Sequence, residues 1–84
     1  MADHELKTWP KFFAGLVSGN KTAEVRKNDR DFQPGDILVL REWSFENGYS
    51  GEVERRIISR VDRLDALSQD LAGYVLLSFE DPHG

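Results

Sequence analysis

The stretch GNKTAEVRKNDR, residues 19–30, decides the fold, because a predicted helix ends there and a predicted strand begins. Before it, Pro10 suits the first position of a helix, where its missing amide proton is not needed. Four apolar residues then recur at helical spacing and would face a core: Phe12, Phe13, Leu16 and Val17. Gly19 can take the left-handed conformation that commonly ends a helix. The sequence therefore predicts a helix from residues 8–10 to residues 18–20, capped by Thr8 or its neighbour.

Charged side chains alternate with apolar ones in the strand predicted over residues 22–26. Because strand neighbours point to opposite faces, Ala23 and Val25 would face the core. The other face would be polar, with Lys21 just before it, and would carry Thr22, Glu24 and Arg26. A carboxylate beside a guanidinium can bind a ligand that has both donors and acceptors, such as a base edge or a phosphate. The alternative is a solvated edge strand with alternating charges.

Four further strands are predicted, and they lie close to one another in the sequence. They cover residues 4–7, 37–43, 53–61 and 74–79, with an exposed loop over residues 44–51 and a short helix over residues 62–71. The second of these strands is apolar on both faces in its first half, as expected inside a small closed barrel. No long helix separates successive strands, which disfavours a doubly wound parallel sheet. We therefore predict a single α+β domain over residues 1–84, a small, mostly antiparallel β-barrel of five to six strands with two short helices.

The 84-residue chain has no cysteine and a net charge of -4. Disulfides and thiolate metal sites are therefore excluded, and His4 and His83, at opposite ends of the chain, make no metal-binding cluster. We expect no metal and no other cofactor. The acidity argues against broad binding to duplex nucleic acid, which needs many phosphate contacts, but it allows a local basic pocket. Without an apolar leader or a stretch of about 20 apolar residues, we expect a soluble, cytoplasmic monomer, and no function for His83.

The common catalytic and nucleotide-binding motifs are absent from the sequence, namely GxxxxGK[ST], GxGxxG and HExxH. No cysteine can act as a nucleophile, and no serine lies near a histidine with an orienting acid. In an enzyme, the reactive groups would be Lys21 and Glu24, with Arg26 as an electrostatic clamp. His4 could join the same site through folding, or it could be an ordinary buried or surface histidine.

Residues 19–26, GNKTAEVR, fit the GxKxxExR pattern of ASCH domains, and the chain thereby resembles the PUA-like superfamily. The flanking sequences are similar to those of the small bacterial and phage proteins of the DUF3850 family; they read HELKTWPKFF before the motif and RKNDRDFQPGDILVLREW after it. The resemblance implies a PUA-like β-barrel that binds RNA or nucleotide-like ligands in a cleft beside the motif. It implies ligand contacts from Lys21, Glu24 and Arg26, and a longer signature bordering the same cleft: His4, Lys7, Asp29 and Arg30. Some relatives hydrolyse acylated cytidine, and these carry Thr at the position of Glu24.

Three hypotheses on function result from these observations. In the leading one, the chain is an RNA- or modified-nucleoside-binding domain, in which Arg26 and Lys21 engage phosphate or carbonyl oxygens and Glu24 accepts from an exocyclic amine. In the second, it is a small hydrolase, either an amidohydrolase or a ribonuclease, that uses Lys21 and Glu24. In the third, it is a protein-interaction module that presents exposed aromatic side chains: Trp43, Phe45 and Tyr49. Burial of these rings in the domain's own core would exclude the third.

Overall fold

Five strands and one α-helix make up the computed structural model, which describes residues 2–82. In chain order they are β1 (Asp3–Thr8), α1 (Pro10–Ser18), β2 (Ala23–Lys27), β3 (Ile37–Ser44), β4 (Gly48–Arg63) and β5 (Tyr74–Glu80). A 3₁₀ turn, Gln69–Leu71, precedes β5. The prediction for His83 lies outside the described residues. No helix within residues 2–82 is long and apolar enough to cross a membrane.

The five strands form one mixed sheet with the order β1-β3-β4-β5-β2. Strand β1 runs parallel to β3, and the other neighbouring pairs are antiparallel. The prediction of a mostly antiparallel α+β fold is therefore confirmed. The predicted closed barrel is wrong, because no backbone hydrogen-bond ladder joins the edge strands β1 and β2. Instead, the side chains of Arg26 and Arg30 cross from β2 and the loop after it to backbone carbonyl groups of β1.

One face of the sheet packs against α1 and forms the core. In β3, Leu38 and Leu40 are fully buried, whereas Ile37 and Val39 on the opposite face are half-buried. The expectation that this strand is buried on both faces is wrong, because the sheet is open and α1 covers one side. The core combines side chains from four strands, α1 and the loop after β2: Leu6, Phe13, Leu16, Phe32, Leu38, Leu40, Ile58, Val75, Leu77 and Phe79.

Helix α1 begins at Pro10, and Trp9 has the extended conformation of an N-cap residue. Thr8 is the last residue of β1, and no side chain caps the first turn of α1. Of the predicted apolar stripe, Phe13 and Leu16 are buried, whereas Phe12 and Val17 are exposed. The helix ends at Gly19, whose φ of 83° is left-handed, as predicted.

The hairpin between β3 and β4 is tighter than the predicted loop over residues 44–51. Only residues 45–47 form the turn, and Gly48 starts β4 with a positive φ of 67° that suits glycine. Tyr49 already pairs with Trp43 across the two strands. The loop prediction is therefore wrong for residue 44 and for residues 48–51, which belong to the sheet.

The predicted helix over residues 62–71 is also wrong. Val61 and Asp62 pair with Leu77 and Leu76 of β5, and the backbone stays in the sheet as far as Arg63. Only the 3₁₀ turn before β5 is helical in this segment. The leucine spacing is misleading here because pairing with a buried neighbouring strand outweighs local helix propensity.

Candidate functional site

A cleft of about 370 Å³ opens where the end of β1, the start of α1 and β2 meet. Part of its wall is apolar and consists of Trp9, Phe12 and Val25. The rest carries polar side chains, those of Lys7, Thr8, Lys21, Glu24 and Arg26. This volume, and apolar walls with a few polar groups, are typical of small-molecule sites. The fold thus brings together the three central residues of the sequence pattern, Lys21, Glu24 and Arg26.

Glu24 and Arg26 share one face of β2, as predicted, but this face is turned inward. Glu24 lies opposite the fully buried Leu77 of β5, and only 9% of Glu24 is exposed. Val25 lies on the outer face and is 54% exposed, and Ala23 is half-buried. The expectation that Ala23 and Val25 face the core is therefore wrong. The physical reason is that β2 is an edge strand, where the apolar core gives way to the cleft.

The Arg26 guanidinium connects Glu24 to the other edge strand. Its Nε donates to Oε2 of Glu24 at 2.8 Å, and its Nη2 donates to the carbonyl oxygen of Lys7 at 2.8 Å. Arg30 makes a similar contact, because its Nη1 donates to the carbonyl oxygen of Glu5. Both arginines satisfy carbonyl groups of an edge strand that pairs on one side only. Arg26 therefore orients Glu24 in addition to lining the cleft.

The Lys21 ammonium group has no acidic partner within residues 2–82. Within the described part of the chain, no carboxylate lies at ion-pair distance from it. Its Nζ lies 5.1 Å from the centroid of the Phe12 ring. The backbone amide of Lys21 donates to the carbonyl oxygen of Gly15 at 3.0 Å. A Cβ at position 15 would lie only 3.1 Å from the Lys21 Cβ, so glycine allows this close approach.

Thr8 is a cleft residue that the sequence analysis did not nominate as a ligand contact. It is 2% exposed, and its hydroxyl is the one buried side-chain polar group in residues 2–82 without a hydrogen-bond partner. An unsatisfied buried group costs about 1–3 kcal/mol, so its presence calls for an explanation. The signal in the sequence is the alternation along β1: Thr8 follows Leu6 by two residues and His4 by four, so the three side chains share the buried face of the strand.

The aromatic walls of the cleft were also missed. Trp9 is 45% exposed and Phe12 is 46% exposed, although helical spacing assigns Phe12 to the core. Both rings line the cleft beside the polar groups. The apolar periodicity of α1 could not separate Phe12 from Phe13, because the cleft and the core lie against adjacent faces of one short helix, and Trp9 precedes the helix.

His4 lies at the start of β1, away from the cleft that the end of this strand lines. It is buried, its Nε2 is 2.8 Å from Oδ2 of Asp36, and its ring packs edge-on against Phe32. Asp36 also accepts from the amides of Ala2 and Gln33. Hydrogen bonding, first with the His4 ring and then with the Ala2 amide, lowers the pKa of Asp36 below its ordinary value of 3.8. This buried hydrogen-bonded pair holds the start of β1 beside Asp36, the residue that precedes β3.

The other residues of the longer signature are placed differently from one another. Lys7 lines the cleft, and its Nζ lies 4.4 Å from the centroid of the Trp43 ring. Arg30 binds the edge strand, and Asp29 is exposed; neither lines the cleft. Over residues 2–82, no group of three or more His, Asp or Glu side chains is arranged to hold a metal ion.

Comparison with known proteins places the chain in a family. The crystal structure of hypothetical protein PH0355 has a similar fold, with a TM-score of 0.60 over 95% of this chain and 98% of that one, at 16% identity. The uncharacterized 12.9 kDa protein in GpA 3'region of Escherichia phage P2 is 39% identical over 74 residues. These residues make up 88% of this chain, which spans only 64% of the length of that relative. Residues 3–79 match the domain of unknown function DUF3850, and the chain belongs to this family.

Proposed function

We propose that the cleft binds a nucleobase, either in single-stranded RNA or in a modified nucleoside. The observation that carries this proposal is that Thr8, whose buried hydroxyl has no partner among residues 2–82, lines the same cleft as the buried Glu24. A base edge offers the donors and acceptors that such polar groups need. The exposed rings of Trp9 and Phe12 in the same cleft offer faces on which a base can stack.

Each polar side chain has a role that its contacts support. Arg26 occupies Oε2 of Glu24, and Oε1 has no hydrogen bond within residues 2–82, so Oε1 is the acceptor for an exocyclic amine such as N4 of cytosine. The Lys21 ammonium, which has no ion-pair partner among the described residues, binds a phosphate or carbonyl oxygen. Arg26 acts chiefly as the group that holds Glu24 in place, because two of its nitrogens are already hydrogen-bonded.

The assignment to ASCH domains and to the PUA-like superfamily belongs to the same proposal. Its support is that residues 19–26, which fit GxKxxExR, bring Lys21, Glu24 and Arg26 to one cleft. The open sheet differs from the barrel that the resemblance implies. The proposal also places the protein in the cytoplasm, where RNA and nucleosides are available.

A substitution that removes only the Thr8 hydroxyl tests the proposal. Isothermal titration would use a panel of cytidine, acylated cytidines and short single-stranded RNAs with the wild type, Thr8→Val and Thr22→Val. Thr22 is exposed and does not line the cleft, so it controls for the same chemical change. We expect Thr8→Val to weaken binding about three- to tenfold, the value of one net hydrogen bond, and Thr22→Val to bind normally. Equal affinities for all three proteins, or no binding by the wild type, would contradict the proposal.

A hydrolase that uses Lys21 and Glu24 in the same cleft is the second candidate, and the lack of an ion-pair partner for Lys21 within residues 2–82 favours it. A lysine without an ion-pair partner is available to act as a base or a nucleophile on a bound amide or phosphodiester. Chromatography of the titration mixtures would reveal any product, and Lys21→Ala should then abolish turnover without unfolding the protein. Turnover that survives in Lys21→Ala would remove this candidate.

A further inference from the structure

Four aromatic residues lie together at the end of the sheet next to the cleft. The ring centroids of Trp9 and Trp43 are 5.6 Å apart, and the Phe45 ring lies 5.3 Å from Trp9 and 4.8 Å from Trp43. Tyr49 pairs with Trp43 across β3 and β4. Phe45 is 79% exposed and Tyr49 is 44% exposed, so the rings are not part of the core. We call Trp9, Trp43, Phe45 and Tyr49 the aromatic cluster.

Cations lie over two of the four rings of the aromatic cluster. Lys7 stands over Trp43, and the Arg41 guanidinium lies 3.8 Å from the centroid of the Tyr49 ring. Arg41 is paired with Glu5, whereas Lys7 has no carboxylate partner in the part of the chain that the structure describes. Exposed rings interleaved with cations are the arrangement by which proteins bind single-stranded nucleic acid, through stacking on the bases and attraction to the backbone.

The aromatic cluster is continuous with the cleft. Trp9 lines the cleft and also contacts Trp43 and Phe45. Lys7 lines the cleft as well, and its ammonium group lies over the Trp43 ring. A strand with one base in the cleft would therefore pass directly onto the aromatic cluster.

We propose that the aromatic cluster stacks the bases that flank the one in the cleft, so that the ligand is a single-stranded nucleic acid of several nucleotides. The inference rests on the proposed function of the cleft, and it selects an oligonucleotide over a free nucleoside. The surface favours this occupant over a protein, because Lys7, which has no carboxylate partner within residues 2–82, lies over the Trp43 ring and supplies charge that complements a phosphate backbone.

The test measures how affinity depends on the length of the ligand. Isothermal titration at low salt would compare a nucleoside with RNA and DNA strands of increasing length, up to about six nucleotides. The variants are Phe45→Ala, Phe45→Leu and Leu67→Ala. Phe45 lies in the exposed hairpin turn, and Leu67, which is 78% exposed, lies beyond the opposite end of β4 and serves as the control. Thermal unfolding of each variant would establish that it folds.

We expect affinity to increase with length, and Phe45→Ala to weaken oligonucleotide binding about fivefold or more while nucleoside binding stays unchanged. Phe45→Leu should behave like Phe45→Ala because leucine cannot stack, and Leu67→Ala should bind normally. Comparing the affinities of the RNA series with those of the DNA series shows which of the two nucleic acids the protein prefers.

Three results would overturn the inference. If the nucleoside binds but added length has no effect, the aromatic cluster has no part in binding and the proposed function of the cleft stands. If Phe45→Leu retains oligonucleotide affinity, the cluster acts as an apolar surface, as a protein partner would require. If neither nucleoside nor oligonucleotide binds, the proposed function fails as well.

Discussion

The Arg26 guanidinium donates a hydrogen bond to the backbone carbonyl oxygen of Lys7 at 2.8 Å and thereby joins the two edge strands of the sheet. The same guanidinium pairs with the buried Glu24. A residue that the sequence pattern marks as a ligand contact thus also has a structural role. Loss of ligand binding in an Arg26 variant would therefore not by itself locate the ligand.

Replacing Arg26 by alanine should destabilise the fold. The change leaves the Glu24 carboxylate buried without its partner and frees the Lys7 carbonyl, so we expect the free energy of unfolding to fall by about 2 kcal/mol. Arg60→Ala is the matched control, because Arg60 is 73% exposed and pairs with Asp62 at the surface. Its loss should cost less than about 1 kcal/mol. Urea unfolding measures the free energy of unfolding of both variants, and an equal loss of stability in the two would contradict the structural role of Arg26.

Thr8→Val should leave the ligand-free protein at least as stable as the wild type. Valine has the shape of threonine and favours strands, and it removes a buried hydroxyl that has no partner within residues 2–82. We expect the free energy of unfolding to rise by up to about 1 kcal/mol in urea titrations. A clear loss of stability would mean that the hydroxyl has a structural role in the free protein, and its burial would then no longer indicate a ligand.

The strands and α1 could be predicted from the sequence because their signals are local. Pro10, Gly19 and the apolar run at the start of β3 act within a few residues of the chain. The two largest failures, the closed barrel and the helix over residues 62–71, concern relations between distant segments, whereas the error over residues 44–51 concerns a local hairpin. Whether the sheet closes depends on whether the edge strands β1 and β2 pair with each other. Whether residues 62–71 are helical depends on pairing with β5.

The candidate site was predictable in part for the same reason. Lys21, Glu24 and Arg26 lie within six consecutive residues, so their spacing could nominate them together. Thr8 and Trp9 join the cleft only through folding, and their chemistry is unremarkable in the sequence. His4 belongs to the same signature, yet the parallel pairing of β1 with β3 places it beside Asp36.

Arg56 should contribute to stability through its contact with the end of α1. Its Nη2 donates to the carbonyl oxygen of Leu16 at 2.8 Å, and its Nη1 pairs with Glu54 at 3.1 Å. Because the Arg56 side chain is only 11% exposed, we expect Arg56→Gln to lower the free energy of unfolding by about 1–3 kcal/mol. Arg55→Gln, at the exposed neighbouring position, should change it by no more than about 0.5 kcal/mol. Similar losses in both variants would contradict the role given to Arg56.

Stability should become pH-dependent in acid through Asp36. The folded-state pKa of Asp36 lies below 3.8, so the contribution of its carboxylate is fully present above that value. As the pH falls through the folded-state pKa, this contribution is lost, because the unfolded chain binds the proton more readily. Urea unfolding should therefore show a stability gap between the wild type and Asp36→Asn that narrows below pH 3.8. Asp29→Asn, at an exposed position, should change the free energy of unfolding by no more than about 0.5 kcal/mol. A gap for Asp36→Asn that is constant with pH would refute the assignment.

The most direct test of the central claim, a ligand in the cleft beside Thr8, is an NMR titration of the isotope-labelled chain with cytidine and a short single-stranded RNA. The account predicts that the amides of Thr8, Lys21 and Glu24 shift. The amides of Asp65 and Tyr74, which line a separate cavity of about 340 Å³, should not. Shifts confined to that second cavity, or no shifts with any ligand, would contradict the claim.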